Sequence, residues 1–284
     1  MARMTDVETV DEADERFNFT GSIGVALLVG AALSWTARTG STQLLIAVAV
    51  VQALVAPALV FGLGLVGRRG ALTLAAMAAV AADVVVSVWP HGRLGTELVV
   101  FGLAVPVMFI HQLTRGAARH RIVESLSAVV LVVLCVVALP ALLQLRHEFV
   151  VRRTGGQVVF GVVLCALGAL VVGYLVDMIV AAPRFDAEVP RGLLAVLSSA
   201  VYGGVAGYLS LRHASAFVGG RAVFAGASIA ALAALLAVAT AFVEAEAPLA
   251  EDGFARRVRP VLGVLVPLCL LAPAAFLLCL AIRS

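Results

Sequence analysis

The chain has 284 residues, of which 62% are hydrophobic and 13% are charged, with a net charge of +3 and a mean hydropathy of +1.09. This composition is too apolar for an ordinary soluble domain and indicates a membrane protein. All 20 basic residues are arginine. The lack of lysine excludes the phosphate-binding P-loop, Schiff-base enzymes and Ser-x-x-Lys hydrolases, because each of these needs a lysine amine.

The beginning of the chain differs in composition from the rest. Residues 1–16 contain six acidic residues and two arginines, the reverse of the cationic start of a secretory signal. We therefore predict that residues 1–17 form an acidic, disordered cytoplasmic tail and that residues 18–284 form a single transmembrane domain.

Nine apolar runs follow the tail. About 20 apolar residues cross roughly 30 Å of hydrocarbon as a helix, and the runs meet or approach that length. The sequence thus predicts an all-α fold, a polytopic transmembrane bundle of about nine spans with short loops. The predicted spans are Phe19–Ala37, Gln43–Val66, Ala71–Trp89, Leu94–Leu113, Val123–Leu145, Gln157–Ala181, Gly192–Leu211, Ala222–Val243 and Val261–Ile282. The longest connection, Glu244–Arg259, is interpreted as a solvated loop.

The distribution of arginines predicts the orientation. Twelve arginines fall on the side of the N-terminus and eight on the other side, so the positive-inside rule favours a cytoplasmic N-terminus. The exclusive use of arginine and the abundance of Ala, Val, Leu and Gly indicate a GC-rich bacterial genome. We expect a multi-pass protein of the bacterial plasma membrane.

Prolines and small residues inside the spans predict how the helices pack. A proline kinks a membrane helix and leaves a carbonyl that a neighbouring helix must satisfy. Small residues at a spacing of four, as in Gly203-x-x-x-Gly207 and Ala222-x-x-x-Gly226-x-x-x-Ala230, predict close helix contacts, either within the chain or between protomers. The prolines within the predicted spans are Pro57, Pro106, Pro140, Pro267 and Pro273.

The third span contains the most deeply placed acid, Asp83. A carboxylate in a bilayer is costly, so this side chain should face the bundle interior and be paired or protonated. Gln52 of the second span lies at a depth from which it could contact Asp83. The pair is either an intramembrane proton or cation site or a hydrogen-bonded contact that fixes packing, and the two interpretations have about equal weight.

The connection between the fourth and fifth spans is the densest basic segment. Arg115, Arg119 and Arg121 could bind the phosphate of an anionic lipid head group. Ordinary positive-inside anchoring of the spans explains the same residues and is the favoured interpretation.

The sixth span ends in an acid and is followed by a charged, proline-containing loop. Asp177, Arg184, Asp186 and Arg191 could together bind a divalent cation and a phosphate. The alternative, a charged interfacial loop between two helices, is favoured, since ion pairs at an interface cost little. The four cysteines and five histidines are scattered and show no metal-binding or catalytic spacing. We therefore predict no metal, no cofactor and no catalytic residue.

The middle third of the chain resembles the CDP-diacylglycerol synthase (phosphatidate cytidylyltransferase) family. The resemblance is carried by Asp177, the APRF-x-x-x-VPRG loop and Gly203-Gly204. It implies a similar polytopic architecture. The family's Lys-containing loop element and its paired aspartates are missing, which implies that metal-dependent cytidylyl transfer is lost. More broadly, the chain resembles uncharacterised actinobacterial integral membrane proteins.

These observations favour a non-catalytic membrane component, either a scaffold or a lipid-associating subunit of the cell envelope. Its expected partners are membrane lipids and a second copy or another envelope protein, with no nucleic acid. One alternative is a membrane enzyme acting on a phosphorylated lipid, with Asp177 and Asp186 for Mg²⁺ and Arg184 or Arg191 for phosphate. Another is a proton-coupled small-solute carrier centred on Asp83.

Overall fold

The computed structural model describes residues 2–65, 67–90, 93–113, 122–149, 154–180, 183–186, 189–212, 214, 217, 219–246 and 253–283. Within this part of the chain every regular element is an α-helix. The helices are α1 (Ala2–Thr39), α2 (Ser41–Gly62), α3 (Arg68–Val88), α4 (Arg93–Leu113), α5 (Ile122–Ala138), α6 (Ala141–Glu148), α7 (Gly155–Ile179), α8 (Leu193–Leu211), α9 (Gly220–Glu246) and α10 (Gly253–Arg283).

The predicted all-α polytopic bundle is confirmed. Nine helical segments among the described residues are long and apolar enough to cross a membrane, and α5 with α6 forms one of them. Many large apolar side chains point outward, among them Leu28, Val80, Leu98 and Val201. Such a surface would promote aggregation in water, but it is suited to contact with the hydrocarbon of a bilayer.

Two predicted boundaries differ from the structure. Glu244 lies within α9 and α10 begins at Gly253, so the prediction of a loop over Glu244–Arg259 was wrong at both ends. Hydropathy marks only the apolar part of a helix, whereas Glu, Ala and Arg are good helix formers that extend it into the interface. The helix α1 likewise begins at Ala2, within the segment predicted to be disordered. The cytoplasmic location of that segment stays a prediction.

The fifth span is interrupted at Pro140. α5 ends at Ala138, Leu139 and Pro140 form a turn, and α6 begins at Ala141. Pro140 has no N–H with which to bond the Val136 carbonyl four residues earlier. The side chain of Gln52 on α2 donates from Nε2 to this carbonyl at 2.8 Å. The predicted consequence of this proline, a free carbonyl satisfied by a neighbouring helix, is therefore confirmed.

The helices pack as two groups that meet along α10, and also where α1 packs against α2 and α6 packs against α7. In one group α8 packs against α7 and α9, and α7 packs against α1. In the other group α2 packs against α3 and α5, and α4 packs against α3 and α5. Because α10 contacts α1 and α9 as well as α2 and α5, it lies at the seam between the two groups.

The small residues of α8 and α9 form a close contact within the chain. A Cβ added at Gly226 would meet the Gly203 carbonyl oxygen and lie 2.6 Å from the Gly207 Cα. These obstacles are backbone atoms that cannot rotate away. The predicted close packing of Gly203, Gly207 and Gly226 is confirmed, and it lies between two helices of one chain.

We expect Gly226→Ala to lower the free energy of unfolding by about 1–3 kcal/mol, because the added methyl group must push α8 and α9 apart. Thermal unfolding in detergent, followed by circular dichroism, measures this change. The matched control is Gly102→Ala on α4, where an added Cβ meets no atom within 4 Å. Equal unfolding temperatures for the two variants would contradict the assignment of a tight α8–α9 contact.

Candidate functional site

A polar cleft lies where four helix ends meet the beginning of the apolar part of α1. Asn18 is near the start of the apolar part of α1, and we call this end of the bundle the N-side. The ends of α7 and α9 and the starts of α8 and α10 reach the same end, since successive spans alternate in direction. They enclose a cavity of about 130 Å³, which we call the Arg191 cleft. Its polar lining residues are Asn18, Ser22, Tyr174, Arg191, Glu244 and Arg259.

Arg191 is held on two sides within the protein. Its Nη1 lies 3.2 Å from Asp177 Oδ2, and the two side chains are only 6% and 3% exposed. Its guanidinium group also stacks over the ring of Tyr174, 3.8 Å from the centroid. Such a cation–π contact is strongest when it is shielded from water. The guanidinium plane is consequently fixed in one orientation at the wall of the cleft.

Asp177 joins this arrangement to the start of α8. Its Oδ1 accepts a hydrogen bond from the backbone N–H of Gly192 at 3.0 Å, and Gly192 immediately precedes the first residue of α8. The first N–H groups of a helix have no partner inside it, so a carboxylate here satisfies one of them and complements the helix dipole. Asp177 thus acts as a positioning residue for both Arg191 and α8.

Tyr174 anchors the cleft to α10. Its hydroxyl group donates to the Gly263 carbonyl at 2.8 Å. This carbonyl lies four residues before Pro267, which lacks the N–H that would otherwise bond it. A Cβ at Gly263 would lie 2.6 Å from Tyr174 Oη, so glycine is what allows the hydroxyl to approach. A second proline thereby has its free carbonyl satisfied by another helix.

Two buried oxygen atoms at the cleft have no hydrogen-bond partner. They are Asn18 Oδ1 and Glu244 Oε1, on α1 and α9. Buried acceptors are almost always satisfied in folded proteins, and leaving one without a donor costs about 1–3 kcal/mol. The cleft therefore offers cationic donors on Arg191 and Arg259 and unsatisfied acceptors on Asn18 and Glu244.

An apolar cavity of about 80 Å³ adjoins the cleft. It lies between α2, α5, α9 and α10, and Glu244 contributes to the walls of both cavities. A polar space and an apolar space that share a lining residue lie close enough to accommodate the polar end and the hydrocarbon end of one molecule. The apolar lining includes Leu59, Leu131, Leu236, Val243, Leu262 and Leu270.

The structure brings together three of the four residues predicted to bind phosphate or a cation. Asp177 and Arg191 form the pair described above, and Arg184 on the preceding loop forms a backbone bridge with Gly192 and interacts electrostatically with Asp177. The side chains of Arg184 and Asp186 are exposed. The loop returns toward α8, since Phe185 N–H donates to the Arg191 carbonyl at 3.0 Å. Among the described residues, no group of three His, Cys, Asp or Glu is placed to hold a metal ion. The predicted head-group contacts Arg115, Arg119 and Arg121 lie outside the described residues.

The predicted contact between Gln52 and Asp83 is present. Gln52 Nε2 donates to Asp83 Oδ1 at 3.2 Å and also to the Val136 carbonyl left free by Pro140. This geometry gives the pair a packing role, because Gln52 links three helices. The role of Asp83 as a proton site stays a prediction.

Sequence reasoning missed three residues of the cleft and one further polar contact. Asn18, Glu244 and Arg259 were assigned to a boundary or a loop, because hydropathy does not show which helix ends meet. Glu97 on α4 and Gln144 on α6 are buried, and each has a side-chain oxygen without a hydrogen-bond partner. Gln144 Nε2 donates to Thr96 Oγ1 at 2.8 Å. The sequence had marked Glu97, a charged residue within an apolar span, as one of the few polar side chains that could face Asp83.

No family model, curated protein or solved structure matches this chain. The fold and the candidate site therefore stand on the geometry described above. The resemblance to CDP-diacylglycerol synthases and the actinobacterial origin stay predictions.

We expect Tyr174→Phe to lower the free energy of unfolding by about 1 kcal/mol, because the Gly263 carbonyl loses its donor. In Pro267→Ala the new N–H can bond this carbonyl, so removing the hydroxyl should then cost clearly less. A double-mutant cycle measured by reversible denaturation in detergent isolates the coupling. Additive effects of the two substitutions would contradict this pairing, and Tyr208→Phe on an exposed side chain serves as the control.

Two substitutions of Asp177 distinguish its ion pair with Arg191 from its hydrogen bond with the Gly192 N–H. We expect Asp177→Ala to lower the free energy of unfolding by about 3 kcal/mol or more, because it leaves the buried Arg191 unpaired. Asp177→Asn should cost less, since its amide oxygen still accepts the Gly192 N–H. The control Glu148→Gln disrupts the more exposed pair with Arg283 and should change stability by about 0.5 kcal/mol or less. If Asp177→Ala unfolds at the same denaturant concentration as this control, the positioning role is wrong.

Proposed function

We propose that this multi-pass membrane protein is a non-catalytic, lipid-associating component of the cell membrane. It holds one lipid molecule, with the head group in the Arg191 cleft and part of an acyl chain in the adjoining apolar cavity. The observation that carries the proposal is that Glu244 lines both the polar cleft and the apolar cavity. Amino-acid usage and the arginine distribution support a bacterial plasma membrane with the N-side facing the cytoplasm.

The cleft lies where a lipid head group would be found. Most of its polar residues lie near the ends of the candidate spans, where the boundary between hydrocarbon and polar interface is expected. Two arginines supply forked donors suited to a phosphate. The apolar cavity continues between helices that cross the membrane, so a lipid could keep its chain within the bilayer.

The contacts of Asp177 support a binding role over catalysis. The enzyme hypothesis assigns Asp177 to a metal ion, but both of its oxygens already bond to groups of the protein. A metal ion bound there would also have to lie close to the positive charge of Arg191, whose Nη1 is 3.2 Å from Asp177 Oδ2. Asp186, the second acid of that hypothesis, is exposed on the loop. The geometry favours Asp177 as part of the scaffold of a lipid site.

We expect Arg259→Gln to reduce lipid occupancy about tenfold, because a charge-assisted hydrogen bond contributes about 1.5–3 kcal/mol and 1.4 kcal/mol corresponds to a factor of ten. Native mass spectrometry of the full chain, purified in mild detergent and mixed with a bacterial polar lipid extract, measures the bound fraction. Arg259 is half-buried, so its replacement should disturb the fold less than that of Arg191.

The matched control is Arg283→Gln, at the other end of the same helix. Arg283 pairs with Glu148, away from the Arg191 cleft, and this variant should retain the lipid occupancy of the wild type. Equal occupancy in the wild type and both variants would show that lipid binds elsewhere or nonspecifically, and the proposed function would fail.

A further inference from the structure

We propose that the lipid held by the Arg191 cleft carries a phosphate and a primary ammonium group, as in phosphatidylethanolamine. The phosphate faces Arg191 and Arg259, and the ammonium faces Asn18 Oδ1 and Glu244 Oε1. This inference rests on the proposed function and names the class of its ligand.

The charge of the cleft matches a neutral, zwitterionic head group. Arg191 and Arg259 contribute two positive charges, while Glu244 and the Asp177 bonded to Arg191 contribute two negative charges. Glu244 already lies near the positive charges of Arg191 and Arg259, so the charges of the cleft balance, and a ligand with a net negative charge would leave an excess of negative charge there. A ligand that carries one charge of each sign can place each charge near its opposite, which satisfies both sides of the cleft.

A ligand with N–H donors can satisfy the two oxygens that have no donor from the protein. Asn18 Oδ1 and Glu244 Oε1 are buried and accept no hydrogen bond from the protein. A primary ammonium group has three N–H donors, so it can satisfy both oxygens. A trimethylammonium group has no N–H and would leave both oxygens without a partner, which disfavours its binding.

The aromatic residues of the cleft do not form a cage for a choline group. Recognition of quaternary ammonium needs open aromatic faces. The guanidinium of Arg191 already covers one face of the Tyr174 ring at 3.8 Å. Phe19 packs against the same ring, with 5.8 Å between centroids. Tyr174 is therefore committed to contacts within the protein.

The head-group preference can be measured by competition. The full chain in mild detergent is mixed with equal amounts of phosphatidylethanolamine, phosphatidylcholine and phosphatidylglycerol that carry the same acyl chains. Native mass spectrometry then gives the fraction of protein bound to each lipid. We expect phosphatidylethanolamine to exceed phosphatidylcholine at least tenfold, since two hydrogen bonds distinguish them.

Glu244→Gln tests the placement of the ammonium group. It should reduce the preference for phosphatidylethanolamine to about threefold or less and raise the binding of phosphatidylglycerol, because the negative charge facing the head group is gone. Asn18→Ala, which removes the other acceptor, provides a second test if Glu244→Gln does not fold. The control Glu148→Gln lies at the opposite end of the bundle and should keep the wild-type preference.

The failure of this inference can be distinguished from that of the proposed function. Equal binding of the three lipids, or a preference for phosphatidylglycerol, overturns the head-group inference, while loss of that binding in Arg259→Gln still supports a lipid site. An unchanged preference in both Glu244→Gln and Asn18→Ala also overturns the inference. If no lipid binds more to the wild type than to Arg259→Gln, both proposals fail.

Discussion

A carbonyl that loses its helical partner inside a bilayer has no water to replace it. This constraint determines how the helices of the protein are connected. Pro140 and Pro267 each remove the N–H that would bond the carbonyl four residues earlier. The Gln52 side chain donates a hydrogen bond to the Val136 carbonyl, and the Tyr174 hydroxyl donates one to the Gly263 carbonyl. In both places a side chain from another helix supplies the donor, so a break in one helix becomes a specific contact between two.

The candidate site follows from the second of these contacts. Because Tyr174 is fixed by the Gly263 carbonyl, its ring provides a rigid surface for Arg191. Asp177, almost one helical turn further along α7, orients the same guanidinium and also bonds the start of α8. The Arg191 guanidinium is therefore held by residues that also stabilise the packing of the helices. A charge positioned by the scaffold binds a ligand at a lower entropic cost than one on a flexible side chain.

The sequence was sufficient for the number, order and approximate bounds of the spans, because hydropathy reports how each residue partitions between water and hydrocarbon. It also predicted close helix contacts at Gly203 and Gly207, since small residues at this spacing let helix backbones approach, but not that the contact is with α9 of the same chain. It did not reveal that Asn18, Glu244 and Arg259 share a cleft with Arg191. The depth of a residue in the membrane can be predicted from its position along a span. The direction in which each helix end faces depends on the packing of all the helices. For the same reason, Asp177 was identified as a site residue before its structural role was visible.

The position of the cleft connects packing with the proposed binding. α10 contacts both groups of helices, and its N-side end contributes Arg259 and Gly263 to the cleft. The apolar cavity lies along the same seam, between α9 and α10 on one side and α2 and α5 on the other. A lipid seated here would contact helices from both groups. Its binding would then favour the arrangement in which the groups are packed together, because a ligand stabilises the state that binds it. The lipid would then act as a structural component of the protein, which agrees with a site whose side chains are held in place by hydrogen bonds and an ion pair.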